Sequence, residues 1–503
     1  MLINQFPNKK KFCDMAKKYN VIPVCFEMLA DTETPVTMLK KFYNPKKPIA
    51  LFESVEGKER WGRYSFLMTS ASGGIRIFKD YVEIQNKNKT EKINHNGDPL
   101  KVLKKFMAQY IPANIPELPR FWGGIVGYFG YETVSFFEKI PNSFPPDKPI
   151  AKFIIPDSLI IFDNVKHTIT GAAIAFIKKK NQAADLYDDA IKKLNNLIDT
   201  IKKKSSKKTF IPEDNFKTTP QCNKEDYIEK VKKVKNYIKS GEVIQAVISQ
   251  PFVSKAPSDL SELYRAQRYI NPSPYLYFLN IDKTALIGSS PETMVRLENR
   301  IATLRPIAGT RPRGENEILD IKLANELLAD EKEKAEHLML VDLGRNDLGK
   351  IAKTGTVQVT DLMVVERYSH VMHLVSNITC DIEDNKDAWD LIKATFPAGT
   401  LSGAPKIRAM EIIAELEDTY RDAYGGAIGY ISFSGNMDMA IIIRTAVVED
   451  NKLTVTAGAG IVADSDPEAE HRECINKSKA IQKALTLLKN RETSIADFID
   501  KKE

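Results

Sequence analysis

Lys224-Glu225-Asp226-Tyr227-Ile228-Glu229-Lys230-Val231-Lys232-Lys233-Val234-Lys235-Asn236-Tyr237-Ile238-Lys239-Ser240-Gly241 is where the texture of the chain changes. Tyr227, Val231, Val234 and Ile238 recur at helical spacing, and Gly241 supplies a helix stop. Downstream of it, strand-like and helical segments mix without a steady βαβ alternation. That mixture predicts an α+β architecture on antiparallel sheet, not a doubly wound parallel one. Immediately upstream, residues 204–223 are rich in Lys, Ser, Thr and Pro with few apolar anchors, as expected of a linker or exposed crossing. Before that, residues 183–203 space Leu186, Ile191, Leu194, Leu197 and Ile201 as one face of an amphipathic helix. Short β-like runs separated by Gly and Pro fill the chain as far as Thr170 and a little beyond. The expected organisation is an N-terminal region over 1–203, a crossing over 204–223, a second region over 224–490 and a tail over 491–503.

The 503 residues exceed one ordinary domain, and 43% hydrophobic with 28% charged residues is normal for a soluble globular protein. No apolar run approaches the roughly 18–20 residues of a membrane helix. Lysines near Met1 have no apolar segment behind them, so no signal peptide is expected. Five scattered cysteines without a Cys-x-x-Cys pair fit a reducing compartment, and the expected location is cytoplasmic. The net charge of +7 comes largely from Lys-rich runs at 178–180 and 202–208, which lack interleaved aromatics and any nucleic-acid motif. They read as solvated surface, so neither nucleic acid nor membrane is an expected partner.

Two segments read clearly enough to carry chemistry. Residues 326–343 form a helix, with Leu327, Leu328, Ala335, Leu338 and Val341 on its buried side. A second helix starts at Ser465-Asp466-Pro467-Glu468, with a capping-box signature from Ser465 to Glu468. Beyond it Glu470, Glu473 and Lys477 share one face. Several motifs are absent. Residues 399–406, Gly-Thr-Leu-Ser-Gly-Ala-Pro-Lys, are similar to a phosphate loop, but the glycine spacing and Pro405 are wrong for one. There is no G-x-G-x-x-G unit and no G-x-S-x-G elbow. His370 and His373 look like a metal pair, yet residues 366–380 read as a strand, which sends them to opposite faces.

What remains is acidic and glycine-rich. Glu336 and Glu473, on two helices, offer the oxygen ligands that Mg²⁺ prefers; each alone also reads as a solvated helix residue. Thr456-Ala457-Gly458-Ala459-Gly460 offers backbone N–H groups to a carboxylate, or marks a sharp sheet bend needing glycine. Arg444 interrupts a run of isoleucines on a buried strand and needs an anionic partner. These residues suggest an enzyme with a divalent metal and a polyanionic small substrate.

Longer strings narrow this. Pro306-Ile307-Ala308-Gly309-Thr310-Arg311-Pro312-Arg313-Gly314, the run Ala335-Glu336-His337-Leu338-Met339-Leu340-Val341-Asp342-Leu343-Gly344-Arg345-Asn346-Asp347, residues 399–406, Tyr424-Gly425-Gly426 and 458–473 resemble the chorismate-utilising enzymes. Leu51-Phe52-Glu53-Ser54 and 123–131 extend the resemblance to the N-terminal region. It implies large antiparallel sheets packed orthogonally with helices outside. It implies Mg²⁺ between Glu336 and Glu473, and Gly309, Thr310, Tyr424, Arg444, Lys477 and the Gly458, Ala459 and Gly460 backbone around the dianionic substrate. It implies Glu292 as general acid, with its pKa raised by burial, and His373 assisting pyruvate elimination; Thr400 and Gln245 complete the catalytic set.

Within the family, Ala308 stands where aminodeoxychorismate-forming members often carry Lys, and Gln245 where water-adding members often carry a Lys base. Both favour ammonia as nucleophile and anthranilate plus pyruvate as products, the first step of tryptophan biosynthesis. Ser54 and Asn271-Pro272-Ser273-Pro274-Tyr275-Leu276 resemble the tryptophan-binding elements of the anthranilate-forming branch. Leu276 stands where many relatives have Met. Feedback inhibition at Ser54, Pro274, Tyr275 and Leu276 is therefore expected. No Gly-x-Cys-x-Gly amidotransferase elbow is present, so a separate glutaminase subunit is the expected partner for glutamine use, in a heterotetramer of two synthase and two glutaminase subunits. The alternatives are an aminodeoxychorismate synthase component I and, in a different class, a non-catalytic Lys-rich binding protein on the same scaffold.

Overall fold

A computed structural model describes residues 2–54, 62–86, 89–203, 216–368 and 371–489. The residues that form the tail over 491–503, His370, and the 204–215 part of the crossing lie outside them. Every pairing between strands among the described residues is antiparallel, and helices cover the strands from outside.

Two sheets share a corner. Strand Tyr64–Ile77 pairs through Phe66–Met68 with Ile49–Glu53, and through Gly73–Ile77 with Tyr81–Asn86. Its other neighbour, Ala151–Asp163, pairs at one end with Gly124–Phe129 and at the other with Thr168–Phe176. The register between these two long strands slips three times between Met68 and Gly73. Such bulges let a strand bend and leave one sheet for another, which is how orthogonally packed sheets make their corners. From the corner one sheet runs through Ile49–Glu53, Tyr275–Ile281, Thr284–Ser290, Thr445–Glu449 and Lys452–Ile461 to Gln245–Lys255. The other runs through Gly124–Phe129, Ala427–Ser432, Met437–Ile441 and Thr293–Glu298 to Ile301–Leu304 and the Val371–Asp381 strand.

Side-chain alternation divides the core accordingly. Ala50, Phe66, Met68, Tyr277 and Leu279 face the space between the sheets. Leu51, Leu67, Leu276 and Phe278, one residue out of phase, face a second core under helices Pro35–Phe42, Ala183–Lys202, Leu260–Ile270 and Pro467–Lys489. The regions 1–203 and 224–490 thus contribute strands to the same two sheets. Part of the crossing is docked: Phe216 is buried, and Thr219–Pro220 pairs with Val253 and Phe252.

Helix Lys224–Lys239 forms as its spacing predicts, capped by Asn223 Oδ1 accepting from the Asp226 N–H and ending before Gly241 at φ +79°. Three local expectations need correction. The helix over 326–343 is two, Glu317–Ala329 and Glu331–Gly349, because Asp330 leaves helical geometry and caps the second by accepting from the Lys332 and Glu333 N–H groups. Its buried stripe is His337, Leu340, Val341, Gly344 and Leu348, while Leu328, Ala335 and Leu338 face out. Residues 366–380 are not one strand but parts of two paired ones, Gln358–Arg367 and Val371–Asp381. At the last helix, Asp466 is the cap, accepting from the Ala469 N–H; the Ser465 hydroxyl instead accepts from the Val462 N–H.

Candidate active site

Glu292 and Arg444 sit where the chain passes between the sheets. Glu292 lies in the link from Thr284–Ser290 of one sheet to Thr293–Glu298 of the other; Arg444 lies in the link from Met437–Ile441 back to Thr445–Glu449. Backbone hydrogen bonds join the two links to each other's strands: the Ile441 N–H donates to the Glu292 carbonyl at 3.1 Å, and the Ser289 N–H to the Arg444 carbonyl at 3.3 Å. Arg444 is therefore in an irregular link, not on a strand as expected, and has φ +51°, a strained value for a residue with a Cβ.

Both residues line a cavity of about 590 Å³. It collects Gln245, Glu292, Gly309, Thr310, Glu336, His373, Thr400, Tyr424, Arg444, Gly458, Gly460, Glu473 and Lys477. Of the catalytic, substrate and metal residues expected from sequence, only Ala459 fails to line it. Its side chain is buried on the opposite face of its strand, so only its backbone is available. The cavity also takes in Ala308, Lys332, Glu333, Ser465 and Glu470. Lys332 and Glu333 were not picked out from sequence. Glu333–Glu336 and Glu470–Glu473 repeat one Glu-x-x-Glu spacing on two helices, and that repeat is the signal that would have found Glu333.

The electrostatics divide the cavity into two ends. At one, burial pushes the Glu292 carboxyl up to about 8, opposed by the Thr400 hydroxyl donating to Oε1 at 3.1 Å and by the Arg444 charge. Arg444 forms no salt bridge among the described residues; Nη1 reaches only Asn271 Oδ1, at 3.4 Å. His373 has Nδ1 at 3.0 Å from both the Gly309 carbonyl and the Thr310 hydroxyl. A carbonyl only accepts, so Nδ1 carries the hydrogen and Nε2 the lone pair. Burial lowers the pKa of this ring, which keeps it neutral. At the other end, Glu336, Glu470 and Glu473 converge, with Glu333 between the two ends, beside Gly309 and paired with Arg311 Nη1 at 3.4 Å. Burial, then Glu333 and Glu473, raise the Glu336 carboxyl; burial and Glu473 raise Glu470. Lys477 answers part of this charge, pairing with Glu473 at 2.7 Å and donating to the Gly458 carbonyl at 2.9 Å. No three-residue metal cage of His, Cys, Asp and Glu forms among the described residues. A repelling, all-oxygen donor set open to the cavity nevertheless fits a hard divalent cation that keeps water and substrate in its shell.

Close approach calls for glycine at Gly458, where a Cβ would lie 2.8 Å from Tyr424 Oη and 2.9 Å from the Ile248 carbonyl. A Cβ at Gly460 would lie 2.3 Å from Gln245 Nε2 and would displace that side-chain amide. Both glycines lie in an unbroken strand paired with Ser249 and Val247, so the sheet-bend explanation does not hold.

Ser54, Pro274 and Tyr275 line a second cavity of about 1270 Å³. Tyr275 Oη donates to Asp438 Oδ1 at 2.9 Å and contacts Thr293 Oγ1 at 3.0 Å. Leu276 does not line this cavity: strand alternation turns its side chain into the helix-covered core. Pro291 and Ile307 line both cavities and form part of the wall between them.

Two cornered antiparallel sheets around a cavity with a protonated acid, an unpaired guanidinium and a carboxylate-rich end define an enzyme for a small polyanionic substrate. The chain belongs to the chorismate binding enzyme family, whose sequence model matches residues 59–483. It is 47% identical to anthranilate synthase component 1 of Aquifex aeolicus, covering 94% of this chain and 96% of that one. It is 43% identical to the Pseudomonas aeruginosa protein of the same name, covering 95% and 99%. Among solved structures, anthranilate synthase component I from Streptococcus pneumoniae superimposes with a TM-score of 0.73 at 35% identity, over 85% of this chain and 93% of that one. The menaquinone-specific isochorismate synthase from Escherichia coli shares the fold, with a TM-score of 0.71 at 18% identity over 95% and 98%. No helix among the described residues is long and apolar enough to cross a membrane.

Proposed function

We propose that the chain is the synthase component of an anthranilate synthase, converting chorismate and ammonia into anthranilate and pyruvate. One observation carries this: a single cavity holds a carboxyl protonated at neutral pH, a neutral imidazole and an unpaired guanidinium, facing four carboxylates. The relatives that match 94% and 95% of the chain carry the same activity in their names.

The substrate is a dianion. Arg444 and Lys477 supply positive charge, and Tyr424 with the Gly458 and Gly460 backbone shapes the wall against which it lies. Mg²⁺ held by Glu336 and Glu473 supplies further positive charge for the ring carboxylate and offsets the repulsion among the glutamates. In the first step the ammonia lone pair forms the bond to ring carbon 2, the ring double bonds shift, and the bond from carbon 4 to its hydroxyl breaks. Glu292 gives its proton to the departing hydroxyl, which leaves as water. Gln245 stands where water-adding members of the family often carry a Lys base, which favours ammonia as the external nucleophile. In the second step the proton on carbon 2 is lost and the enolpyruvyl ether bond breaks. Enolpyruvate takes up a proton to become pyruvate, and the ring becomes aromatic. His373 offers Nε2 to these proton transfers, held in place by Gly309 and Thr310.

A cytoplasmic complex with a glutaminase component II supplies ammonia from glutamine, two copies of each making a heterotetramer. Tryptophan occupies the larger cavity against Ser54, Pro274 and Tyr275 as feedback inhibitor.

Purified protein given chorismate, Mg²⁺ and ammonium is expected to release anthranilate and pyruvate in equal amounts, and none when a chelator is added. Chorismate consumed without anthranilate would reassign the product; no consumption at all would overturn the function. Saturating tryptophan is expected to suppress the rate. An unchanged rate would remove tryptophan from the larger cavity.

A further inference from the structure

Arg421 lines neither cavity, yet it is tied to three walls of the catalytic one. Its side chain is 2% exposed and forms a two-pronged pair with Glu417, Nε to Oε2 at 2.8 Å and Nη2 to Oε1 at 2.7 Å. Nη1 donates to the Leu401 carbonyl at 2.7 Å, and Nη2 to the Val247 carbonyl at 2.7 Å. Glu417 in turn accepts from the Ser249 N–H at 2.8 Å. The guanidinium lies 4.6 Å from the Tyr131 ring centre and 5.7 Å from that of Tyr424. The Arg421 N–H donates to the buried carboxylate of Glu132 at 2.7 Å. One planar cation therefore contacts the residue after Thr400, the strand that carries Gln245, and the face of Tyr424.

We propose that Arg421 is a positioning residue of the reaction: its guanidinium fixes the Gly399–Leu401 turn and Tyr424 against the Gln245–Lys255 strand, so that the Thr400 hydroxyl meets Glu292. This rests on Glu292 acting as the acid of the proposed function. A stabilising role alone would need a buried cation, but not one whose donors reach two separate segments of the cavity wall. Lysine keeps the charge and loses the fork, so it cannot hold Leu401, Val247 and Glu417 together.

The test is a cycle of Arg421→Lys, Thr400→Val and the double variant, with kcat and KM for chorismate followed against pH and the melting midpoint recorded. Arg421→Lys is expected to lower kcat about 10- to 100-fold, the range that misplacement of about an ångström produces. It is also expected to move the alkaline limb of the kcat/KM profile to higher pH, because Glu292 in the free enzyme loses the hydroxyl that favours its charged form. Thr400→Val should move the limb in the same direction, and the double variant no further, since both act through one hydrogen bond. An unmoved limb in Arg421→Lys, or a shift in the double variant equal to the sum of the two, overturns the inference. If Arg421→Lys does not fold, Glu417→Gln, which loosens the same fork, must move the limb the same way. If the wild type consumes no chorismate, the function fails, and a crystal structure of Arg421→Lys decides the inference. A separated Thr400–Glu292 pair supports it; an intact pair overturns it.

Discussion

Replacing Glu292 with glutamine is expected to lower kcat by about 10²–10⁴-fold, the range that general acids contribute, with the KM for chorismate changed only a few-fold. Glutamine is nearly isosteric and hydrogen-bonds to Thr400, but it has no proton to give. The pH dependence provides a second signature. Burial raises the carboxyl from its ordinary 4.5 to about 8, so the acid is protonated at neutral pH and wild-type kcat/KM, which reports the free enzyme, should fall as pH rises through about 8. Stability shares the sign. Between about pH 4.5 and 8 the native protein holds this proton and the unfolded chain does not, so the contribution is complete below 4.5 and is lost as pH rises through 8. The glutamine variant carries no such term: melting curves of the two proteins should separate progressively from pH 5 to pH 9, with the variant the more stable at the alkaline end. Curves that stay parallel across that range would mean the wild-type carboxyl is already ionised.

Replacing Arg444 with alanine is expected to reduce kcat/KM by roughly 30- to several-thousand-fold. Truncating one member of a buried charge pair costs about 2–5 kcal/mol, and each 1.4 kcal/mol is tenfold. The loss should fall chiefly on KM, because the guanidinium is charged before substrate arrives and, among the described residues, faces no carboxylate in a salt bridge. Burial works against that charge: desolvation lowers the Arg444 pKa, and only Glu292 opposes it. Removing the side chain should therefore leave the melting midpoint unchanged or higher while binding collapses, a stability–function trade at a single residue. The strain at φ +51° is the same for alanine as for arginine and cancels in the comparison. Steady-state kinetics with calorimetry reads both quantities; a variant that melts lower and keeps its KM would make Arg444 structural.

The sequence exposes what short-range physics decides. The 3–4 residue spacing of Tyr227, Val231, Val234 and Ile238 fixes a helix whatever packs on it, and Asn223 and Gly241 mark its ends. The helix at 183–203 is legible in the same way, and the short β-like runs before it appear as strands such as Gly124–Phe129 and Ala151–Asp163. Asp330 was missed because a good N-cap in the middle of a helical pattern is silent until the chain actually turns. On Glu331–Gly349 the spacing places Val341 on the buried face correctly, but Ala335 and Leu338 are exposed and His337, a polar residue, is fully buried. The corner between the sheets depends on three register slips that exist only relative to a partner strand 91 residues away (Met68 against Leu159). No local pattern encodes that. Long strings such as 335–347 and 399–406 mark walls of the cavity; they do not reveal which face of a strand a residue takes, and Leu276 is the case in point, its side chain lying in the helix-covered core.

The crossing of the chain from one sheet to the other at Glu292 and again at Arg444 means that an acid and a cation are mounted on the frame, not on its decorations. Each link is two or three residues long and is bonded to a strand of the neighbouring link, so the separation of the two groups is set by sheet spacing. Surface connections can lengthen, shorten or drift in sequence and alter what borders the cavity without altering that separation. The frame acts as a fixed jig: strands of the same two sheets carry Gln245 and His373, and the cavity's remaining glutamates come from helices laid against it.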